Sequence, residues 1–293
     1  MYFLCPCSLF SFALRNFFRF FRFSNTEKKE MSGKNRVAAN LNMLFTHLPL
    51  IQRYSAAASH GFKLVEVSIP YSESAQNLRD AADQHNLKHT LINAPPGNWD
   101  HGFRGLAALK SQKDEFRNSL DTAIDYAKTL GCTRIHVMAG IPKTADDVAN
   151  ASEVYSENVL FAAEKFKEHD LICLIEPINK YTIPGYYLNN YEEAMRLIEK
   201  DQSKNLKIQY DTFHAQQING QIGATMRKLK EHIGYIQVAQ VPARGACDTA
   251  GELDYNFIFD EIRSIDSTWI IGAEYVGNSN DSFNWVENMG CSF

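Results

Sequence analysis

Short apolar runs recur along the chain from residue 36 onward, and the segments between them have the periodicity of amphipathic helices. The starts of successive runs lie 25 to 44 residues apart, which fits one strand, one helix and two loops each time. Strands that alternate with helices predict a parallel sheet. The eight runs are residues 37–43, 62–69, 89–93, 133–139, 172–179, 206–211, 233–239 and 269–275.

Two of the segments between the runs carry strong helical signals. Residues 114–130 place Phe116, Leu120 and Ile124 on one face and are followed by Gly131, a typical helix stop. Residues 151–169 carry a similar apolar stripe. Eight parallel strands favour a barrel over an open doubly wound sheet, which would also need a glycine-rich turn after its first strand. The sequence therefore predicts an α/β fold, a (β/α)8 TIM barrel formed by residues 36–293, whose 258 residues are close to the roughly 250 typical of that fold.

Residues 1–35 differ in composition from the rest of the chain. Positions 1–23 contain eight of the 19 phenylalanines together with arginines, and no acidic residue comes before Glu27. This composition resembles an organellar presequence, while Met31, just before the first strand, is an alternative start of translation. We interpret residues 1–35 as a leader, either a presequence or a misassigned start. The expected location is cytoplasmic, or mitochondrial if the presequence is genuine.

Charge and cysteine usage narrow the class of partner. The net charge is −4, and the 30 basic residues are interspersed with 34 acidic ones, which argues against nucleic acid. No segment offers about twenty uncharged apolar residues, so no membrane span is expected. The six cysteines show no CxxC spacing, and Cys132 and Cys173 lie in apolar stretches, so we interpret them as reduced thiols. A small molecule is the expected partner, and self-association into a homo-oligomer stays open.

Four polar residues end apolar runs on strands five to eight, at the end of the barrel where this fold builds active sites. Three carboxylates that converge there are costly to bury unless a cation compensates them. Oxygen ligands without a thiolate suit Mg²⁺ or Mn²⁺ better than zinc. Each residue taken singly could instead be held by a loop amide or an arginine, but four in register favour a divalent-cation site. The four are Glu176, Asp211, Gln237 and Glu274.

Further residues could contact a substrate at this end of the barrel. His214 lies three residues beyond Asp211, so a turn can bring its imidazole beside the cation site as a donor to a substrate oxygen. A loop histidine without such a role fits the spacing equally well. Arg244 follows the seventh strand and could clamp a carboxylate, with a surface ion pair as the alternative. The loop at 93–99 could cover the mouth, although Trp99 also fits a core position.

The motifs that the chain lacks also limit the chemistry. A P-loop, a Gly-x-Ser-x-Gly elbow, a His-Glu-x-x-His pair and a dinucleotide fingerprint are all absent, which removes support for phosphoryl, acyl and hydride transfer. A cation flanked by two glutamates fits proton transfer next to a carbonyl, with the cation stabilising an enediolate. One glutamate would remove the proton and the other redeliver it. The residues alone do not name the sugar or the acid.

Several segments carry a family resemblance: ANLNMLF at 39–45, IEPIN at 175–179 with IPG at 183–185, LKIQYD at 206–211 and GELDY at 251–255. They resemble hydroxypyruvate isomerases, a family of xylose-isomerase-like TIM barrels, and the likeness runs from about residue 37 to residue 287. The resemblance implies interconversion of hydroxypyruvate and 2-hydroxy-3-oxopropanoate (tartronate semialdehyde) with a bound divalent cation.

The resemblance also implies roles for the residues at the strand ends. Glu176 and Glu274 would be proton donor and acceptor as well as metal ligands, and Asp211 and Gln237 would complete the metal shell. Related sugar epimerases usually have histidine on the seventh strand, so Gln237 favours the isomerases of small keto acids. Arg244 falls where the family has an Arg-Gly pair, which favours a contact with the substrate carboxylate. Bacterial members lack the leader, which leaves localisation open.

Three alternative functions remain open. A 2-oxo-sugar-acid isomerase or a ketose 3-epimerase would use the same site with a roomier pocket. An apurinic-site endonuclease shares this barrel type but needs many clustered histidines for zinc and a basic DNA track, whereas the nine histidines here are scattered. A non-catalytic sensor of keto acids would not need a second glutamate.

Overall fold

Eight parallel strands close into a barrel in the computed structural model, which describes residues 33–278 and 281–293. The strands are β1 (Arg36–Asn40), β2 (Leu64–Val67), β3 (Lys88–Asn93), β4 (Arg134–His136), β5 (Ile172–Ile175), β6 (Leu206–Asp211), β7 (Ile233–Val238) and β8 (Ile270–Ala273). Each strand pairs with the next along the chain, and β8 closes the ring on β1. The predicted (β/α)8 barrel is confirmed.

The helices follow the strands and cover the outside of the barrel. They are α1 (Leu50–Ser59), α2 (Ala75–Gln84), α3 (Lys113–Leu130), α4 (Ala145–Lys167), α5 (Tyr191–Lys200), α6 (Thr212–Ile218), α7 (Ile222–Leu229), α8 (Tyr255–Ile265) and α9 (Trp285–Asn288). Helix α3 ends at Gly131, whose φ of 66° lies in the left-handed region, as the sequence predicts. The segment Lys34–Phe293 forms one compact unit. The interpretation of residues 1–35 as a leader falls almost entirely outside the described residues.

The predicted bounds of several elements were wrong. Helix α4 begins at Ala145 rather than at residue 151, because the Thr144 hydroxyl accepts a hydrogen bond from the backbone N–H of Asp147 and caps the helix earlier. Its first turn is polar, so an apolar stripe does not reveal it. Most strands are shorter than the apolar runs: β5 stops at Ile175, although the run continues to residue 179. The remaining apolar residues stay buried in the loops at the barrel mouth.

Alternate residues of each strand face opposite sides of the barrel wall. On β5, Cys173 and Ile175 pack in the large core between strands and helices, whereas Leu174 packs in a separate group inside the barrel. We call this group the interior apolar cluster; it consists of Ala38, Leu64, Leu91, Leu174, Tyr235 and Ile270. Two positions further along the inward faces, five of the six residues are polar and the sixth is a glycine; they are Asn40, Glu66, Asn93, Glu176, Gln237 and Gly272. The barrel interior therefore changes from apolar to polar toward the carboxyl ends of the strands.

Two further sequence predictions can be compared with the described residues. Within them, no helix combines the length and apolar character needed to cross a membrane. The cysteines in this part of the chain are all buried and free, including Cys132 and Cys173, which were predicted to be reduced thiols; the others are Cys247 and Cys291.

Candidate active site

Strand alternation brings the predicted carboxylates to one place. Glu176 directly follows β5, Asp211 is the last residue of β6, and Glu274 directly follows β8. All three continue the inward faces of their strands. Glu176 and Glu274 line a cavity of about 430 Å³ at the carboxyl end of the barrel. His214 and Arg244 line the same cavity. The structure thus brings together five of the six residues that the sequence predicts for the site.

Asp211 is both the end of β6 and the N-cap of α6. Its Oδ1 accepts a hydrogen bond from the backbone N–H of Phe213 at 2.8 Å, which fixes the direction of the carboxylate. The other oxygen, Oδ2, lies 3.2 Å from Arg244 Nη2 and 3.6 Å from His214 Nε2. One turn of α6 separates Asp211 from His214, so the capped helix start determines the position of both side chains.

Most of the hydrogen bonds that the Arg244 side chain donates go to the carboxylates of Asp211 and Glu274. Its Nη2 donates to Glu274 Oε2 at 2.7 Å and to Asp211 Oδ2 at 3.2 Å, while its Nε donates to the backbone carbonyl of Glu274. The backbone of Arg244 has a φ of 53°, a left-handed conformation that is unfavourable for a residue with a Cβ. Local strain of this kind is common at functional sites. The Nη1 group makes no hydrogen bond to the described residues, so it remains able to bind a ligand.

His214 is held in one tautomer by Asn179. The Asn179 Oδ1 accepts from the backbone N–H groups of Tyr181 and Thr182 at 2.9 Å each, so its Nδ2 must face His214 Nδ1 at 2.7 Å. Nδ1 is therefore an acceptor, and we assign the proton of the neutral ring to Nε2. Burial and the charge of Arg244 lower the pKa of His214 well below its usual value, which keeps the ring neutral. Its Nε2–H faces Asp211 Oδ2 and Glu176 Oε1 at 3.6 and 3.9 Å, beyond hydrogen-bond distance, and is free to donate to a ligand.

Gln237 lies behind the cavity wall instead of lining it. Its side-chain carbonyl accepts from Gln209 Nε2 at 2.6 Å, and its amide donates to Glu66 Oε1 at 2.8 Å. Gln209 also donates to Glu176 Oε2 at 3.0 Å, so Gln237 is linked to the site through one intervening residue. A role for Gln237 as a metal ligand stays a prediction.

The sequence reasoning missed a layer of buried polar residues beneath the carboxylates. Glu66 on β2 accepts from Asn40 Nδ2 at 2.7 Å, and the same amide donates to Glu274 Oε1 at 3.0 Å. A Cβ at Gly272 on β8 would lie 2.3 Å from Glu66 Oε2, so glycine leaves the space that Glu66 fills. A charged residue inside the apolar run at 62–69 was a usable signal. The prediction from strand ends does not include Glu66, because this residue lies inside its run.

The carboxylates raise one another's pKa. Burial, followed by the charges of Glu274 and Asp211, raises the pKa of Glu176 well above its usual value. Burial also raises the pKa of Glu274 to about 8, although Arg244 opposes the shift. Among the residues that the structure describes, none forms a hydrogen bond with Glu176 Oε1. One arginine therefore does not compensate three neighbouring carboxylates, and the site favours an additional positive charge.

A metal ion fits this donor set. Ligand atoms of Glu176, Asp211 and His214 all lie within 4.8 Å of one another, and all three residues are buried. Since His214 Nε2 carries a proton, the carboxylate oxygens are the atoms available to a cation. His136 lies nearby, with Nδ1 3.7 Å from Glu176 Oε2, but burial lowers its pKa to about 3, and it supplies no positive charge. Oxygen ligands of this kind suit a hard divalent cation.

The fold and the site together define a member of the xylose isomerase-like TIM barrels, and the model of that family matches residues 54–292. A Caenorhabditis elegans protein provisionally named hydroxypyruvate isomerase is 78% identical over 263 residues, which cover 90% of this chain and all of that protein. The hydroxypyruvate isomerase of Escherichia coli (strain K12) is 36% identical over 240 residues, 82% of this chain and 93% of the relative. The chain belongs to the hydroxypyruvate isomerase family and is an isomerase.

Other relatives have different names. The 2-oxo-tetronate isomerase of Cupriavidus necator is 38% identical over 240 residues, which cover 82% of this chain and 92% of that protein. A solved structure from Brucella melitensis, titled AP endonuclease, family 2, superimposes with a TM-score of 0.82 at 34% identity and covers 87% of this chain and 98% of that one. Two histidines, His136 and His214, are among the described residues that line the cavity, which does not resemble a histidine-rich zinc site.

Proposed function

We propose that this chain interconverts hydroxypyruvate and 2-hydroxy-3-oxopropanoate by proton transfer between C3 and C2 of the substrate. The observation that carries the proposal is the placement of Glu176 and Glu274 in one cavity, with Asp211 and Arg244 between them. Two carboxyl groups from different strands allow one to take a proton while the other gives one. The pKa of Glu274, raised to about 8, suits a group that exchanges protons near neutral pH, and the pKa of Glu176 is shifted in the same direction.

The proton transfers balance as an internal redox change in the substrate. One glutamate takes a proton from C3 of hydroxypyruvate, and the electrons of that bond form the C2–C3 double bond of an enediolate. A proton is returned to C2, and O3 gives up its hydroxyl proton as it becomes the aldehyde oxygen. O2 ends as a hydroxyl. No outside oxidant or reductant is consumed, so the site needs only proton carriers and compensation of the charge on the two oxygens.

We further propose that Mg²⁺ or Mn²⁺ is held by Glu176, Asp211 and Glu274, with Gln237 as the fourth ligand. The unpartnered Glu176 Oε1 and the crowding of three carboxylates support this proposal. A divalent cation there would polarise the carbonyl and hydroxyl groups of the substrate. His214, with Nε2–H directed at the same space, would donate to a substrate oxygen.

The free cysteines of the barrel fit a reducing compartment, and on this basis we propose a cytoplasmic location. A mitochondrial location, set by residues 1–35, is the alternative.

The experiment is an isomerisation assay on the full chain, stripped with chelator and resupplied with Mg²⁺ or Mn²⁺. We expect metal-dependent turnover that prefers hydroxypyruvate over 2-oxo-tetronate and over neutral ketoses. Preference for 2-oxo-tetronate, an acid one carbon longer, would assign the chain to the activity of its Cupriavidus necator relative. Turnover of neutral ketoses alone would replace the keto acid with a sugar, and tight metal binding without turnover would support a sensor.

A further inference from the structure

A second arginine, Arg104, lines the same cavity as the carboxylates. It lies in the loop between β3 and α3, and its guanidinium stacks over the Trp99 ring at 3.9 Å from the ring centre. Its Nη1 donates to the backbone carbonyls of Trp99 and Phe103 at 2.9 and 2.8 Å. Throughout residues 33–278 and 281–293, no carboxylate forms an ion pair with Arg104, and its Nε and Nη2 make no hydrogen bond. The sequence reasoning did not identify this residue.

The loop that carries Arg104 is fixed to the barrel next to that side chain. Gly105 forms an antiparallel bridge with Ala139, just beyond β4, and its N–H donates to the Pro96 carbonyl at 3.0 Å. Gly105 has a φ of 114°, and a Cβ there would lie 2.3 Å from the Met138 carbonyl oxygen, so only glycine allows this close approach. The backbone next to Arg104 is therefore held in place. Little conformational entropy is lost when this residue binds a ligand.

The two arginines of the cavity differ in how far their charge is already compensated. Arg244 forms ion pairs with Asp211 and Glu274. Together with a divalent cation, it would neutralise the three carboxylates of the site. A substrate carboxylate would then bring one further negative charge into the cavity. Among the described residues that line the cavity, Arg104 is the arginine without an acidic partner.

We propose that Arg104 binds the carboxylate of an acid substrate and so makes this site select 2-oxo acids over neutral sugars. This inference rests on the proposed function. Arg104 offers Nε and one Nη2 hydrogen in the planar arrangement that pairs with both oxygens of a carboxylate. The sequence-based prediction gave that contact to Arg244. In the new assignment Arg244 instead holds Asp211 and Glu274 and offers Nη1 to another substrate oxygen.

The test compares Arg104→Gln and Arg104→Lys with the full wild-type chain, loaded with Mn²⁺. Charge-assisted hydrogen bonds contribute more binding free energy than neutral ones. We therefore expect the KM for hydroxypyruvate to rise about 10- to 100-fold in Arg104→Gln, with a smaller change in kcat. Lysine keeps the charge without the fork and should restore part of the loss. Lys143→Gln is the matched control, because it removes an exposed positive charge near the same loop without lining this cavity, and it should match wild type.

A second readout separates this inference from the proposed function. D-glycerate has the carboxylate but cannot isomerise, and dihydroxyacetone is the neutral three-carbon ketose. Calorimetry should show D-glycerate binding weakened by about 10- to 100-fold in Arg104→Gln, while the dissociation constant of dihydroxyacetone, measured in the same way, stays within about twofold. If wild type does not turn over hydroxypyruvate, the proposed function fails, yet D-glycerate still tests Arg104. Unchanged D-glycerate binding, or equal weakening of both ligands, would overturn the assignment.

Discussion

The two halves of the barrel interior are built from the same strands and have opposite chemistry. Leu174 on β5 and Glu176, which directly follows β5, lie two positions apart on the inward face. Leu174 is fully buried in the interior apolar cluster, while Glu176 lies in the cavity with one carboxylate oxygen that finds no hydrogen-bond partner within residues 33–278 and 281–293. Burial stabilises the fold at the first position and raises the free energy of a charged group at the second. Two residues that are neighbours on one inward face therefore have different roles: Leu174 contributes to stability and Glu176 to the chemistry of the site.

Buried polar groups also differ between the two ends of the barrel. Toward the amino ends of the strands, the Tyr54 hydroxyl lies 2.8 Å from His89 Nε2, and the Thr90 hydroxyl lies 2.9 Å from that of Tyr235. These are neutral pairs, which are the inexpensive way to bury polar atoms. At the mouth, by contrast, carboxylates crowd together around Arg244. The mouth therefore keeps an unfavourable concentration of negative charge that an additional cation would relieve.

The largest expected effect comes from Glu176→Gln. The amide keeps the shape and one oxygen for a metal but cannot carry a proton, so we expect kcat to fall by about 10³-fold or more. The melting temperature should not fall, because the substitution relieves repulsion among buried carboxylates. Steady-state kinetics and thermal unfolding measure the two effects. Glu115→Gln, which removes an exposed carboxylate from α3, should change neither. Activity within a few-fold of wild type would exclude Glu176 as a proton carrier.

For Leu174, two residues before Glu176, we expect the opposite result: a loss of stability with little change in kcat. Leu174→Ala leaves a cavity in the interior apolar cluster and should lower the free energy of unfolding by about 2–5 kcal/mol, measured by urea denaturation. The kcat of the folded protein should stay within about threefold of wild type. Leu197→Ala on α5, a truncation outside the barrel, is the control and should behave alike. A loss of kcat comparable to that of Glu176→Gln would show that the two halves are not separate.

The sequence predicts the fold because strand and helix periodicity repeat around the barrel, and each repeat constrains the next. It predicts Glu176, Asp211 and Glu274 as a group because polar residues at strand ends converge in any parallel barrel. Glu66 was missed because it lies inside a strand, beside a register shift between β2 and β3.

Residues outside the strands are harder to predict. Arg104 and Asn179 lie on loops, and loop geometry decides whether such side chains reach the cavity. The spacing of residues along the chain does not encode the bridge from Gly105 to Ala139 that positions Arg104. It also does not reveal the pair of backbone N–H groups that orients the Asn179 amide toward His214.

A pH effect should come from the amino end of the barrel. Burial, aided by the charge of Arg79, lowers the pKa of His89 from 6.5 to about 4. Well above pH 6.5 the ring is neutral in both the folded and the unfolded chain. As the pH falls from 6.5 toward 4, the unfolded chain takes up a proton that the folded protein does not, so stability is lost. We expect this residue to cost about 2 kcal/mol at pH 5 relative to pH 7.5.

Urea denaturation of wild type and His89→Gln across this pH range isolates the contribution. Other groups titrate in both proteins, so only the difference between their stabilities reports on His89. That difference should change by about 2 kcal/mol between pH 7.5 and pH 5, with wild type losing more. Parallel pH curves would mean that His89 is protonated in the folded protein as readily as in the unfolded chain.

The smallest expected effect comes from a neutral hydrogen-bonded pair at the mouth, Asn179 and His214. Asn179 donates to His214 Nδ1 and thereby keeps the proton on Nε2. In Asn179→Ala that preference is lost, and we expect kcat to fall about 10-fold with less change in KM, as is typical when a supporting contact is removed. Nitrogen NMR of labelled histidine should show His214 shifting from one tautomer to a mixture.

A control asparagine distinguishes this role from a general loss of stability. Asn190 caps α5 by accepting from the Glu193 N–H at 2.8 Å, so Asn190→Ala should cost about 1 kcal/mol of stability but leave kcat and the His214 tautomer unchanged. Asn179→Asp sharpens the test, because a carboxylate at that position accepts the Nδ1 proton and should strip Nε2 of its own. If His214 keeps the Nε2 proton in both Asn179 variants, then the neighbouring carboxylates determine its tautomer. Asn179 would not be needed to make the ring a donor.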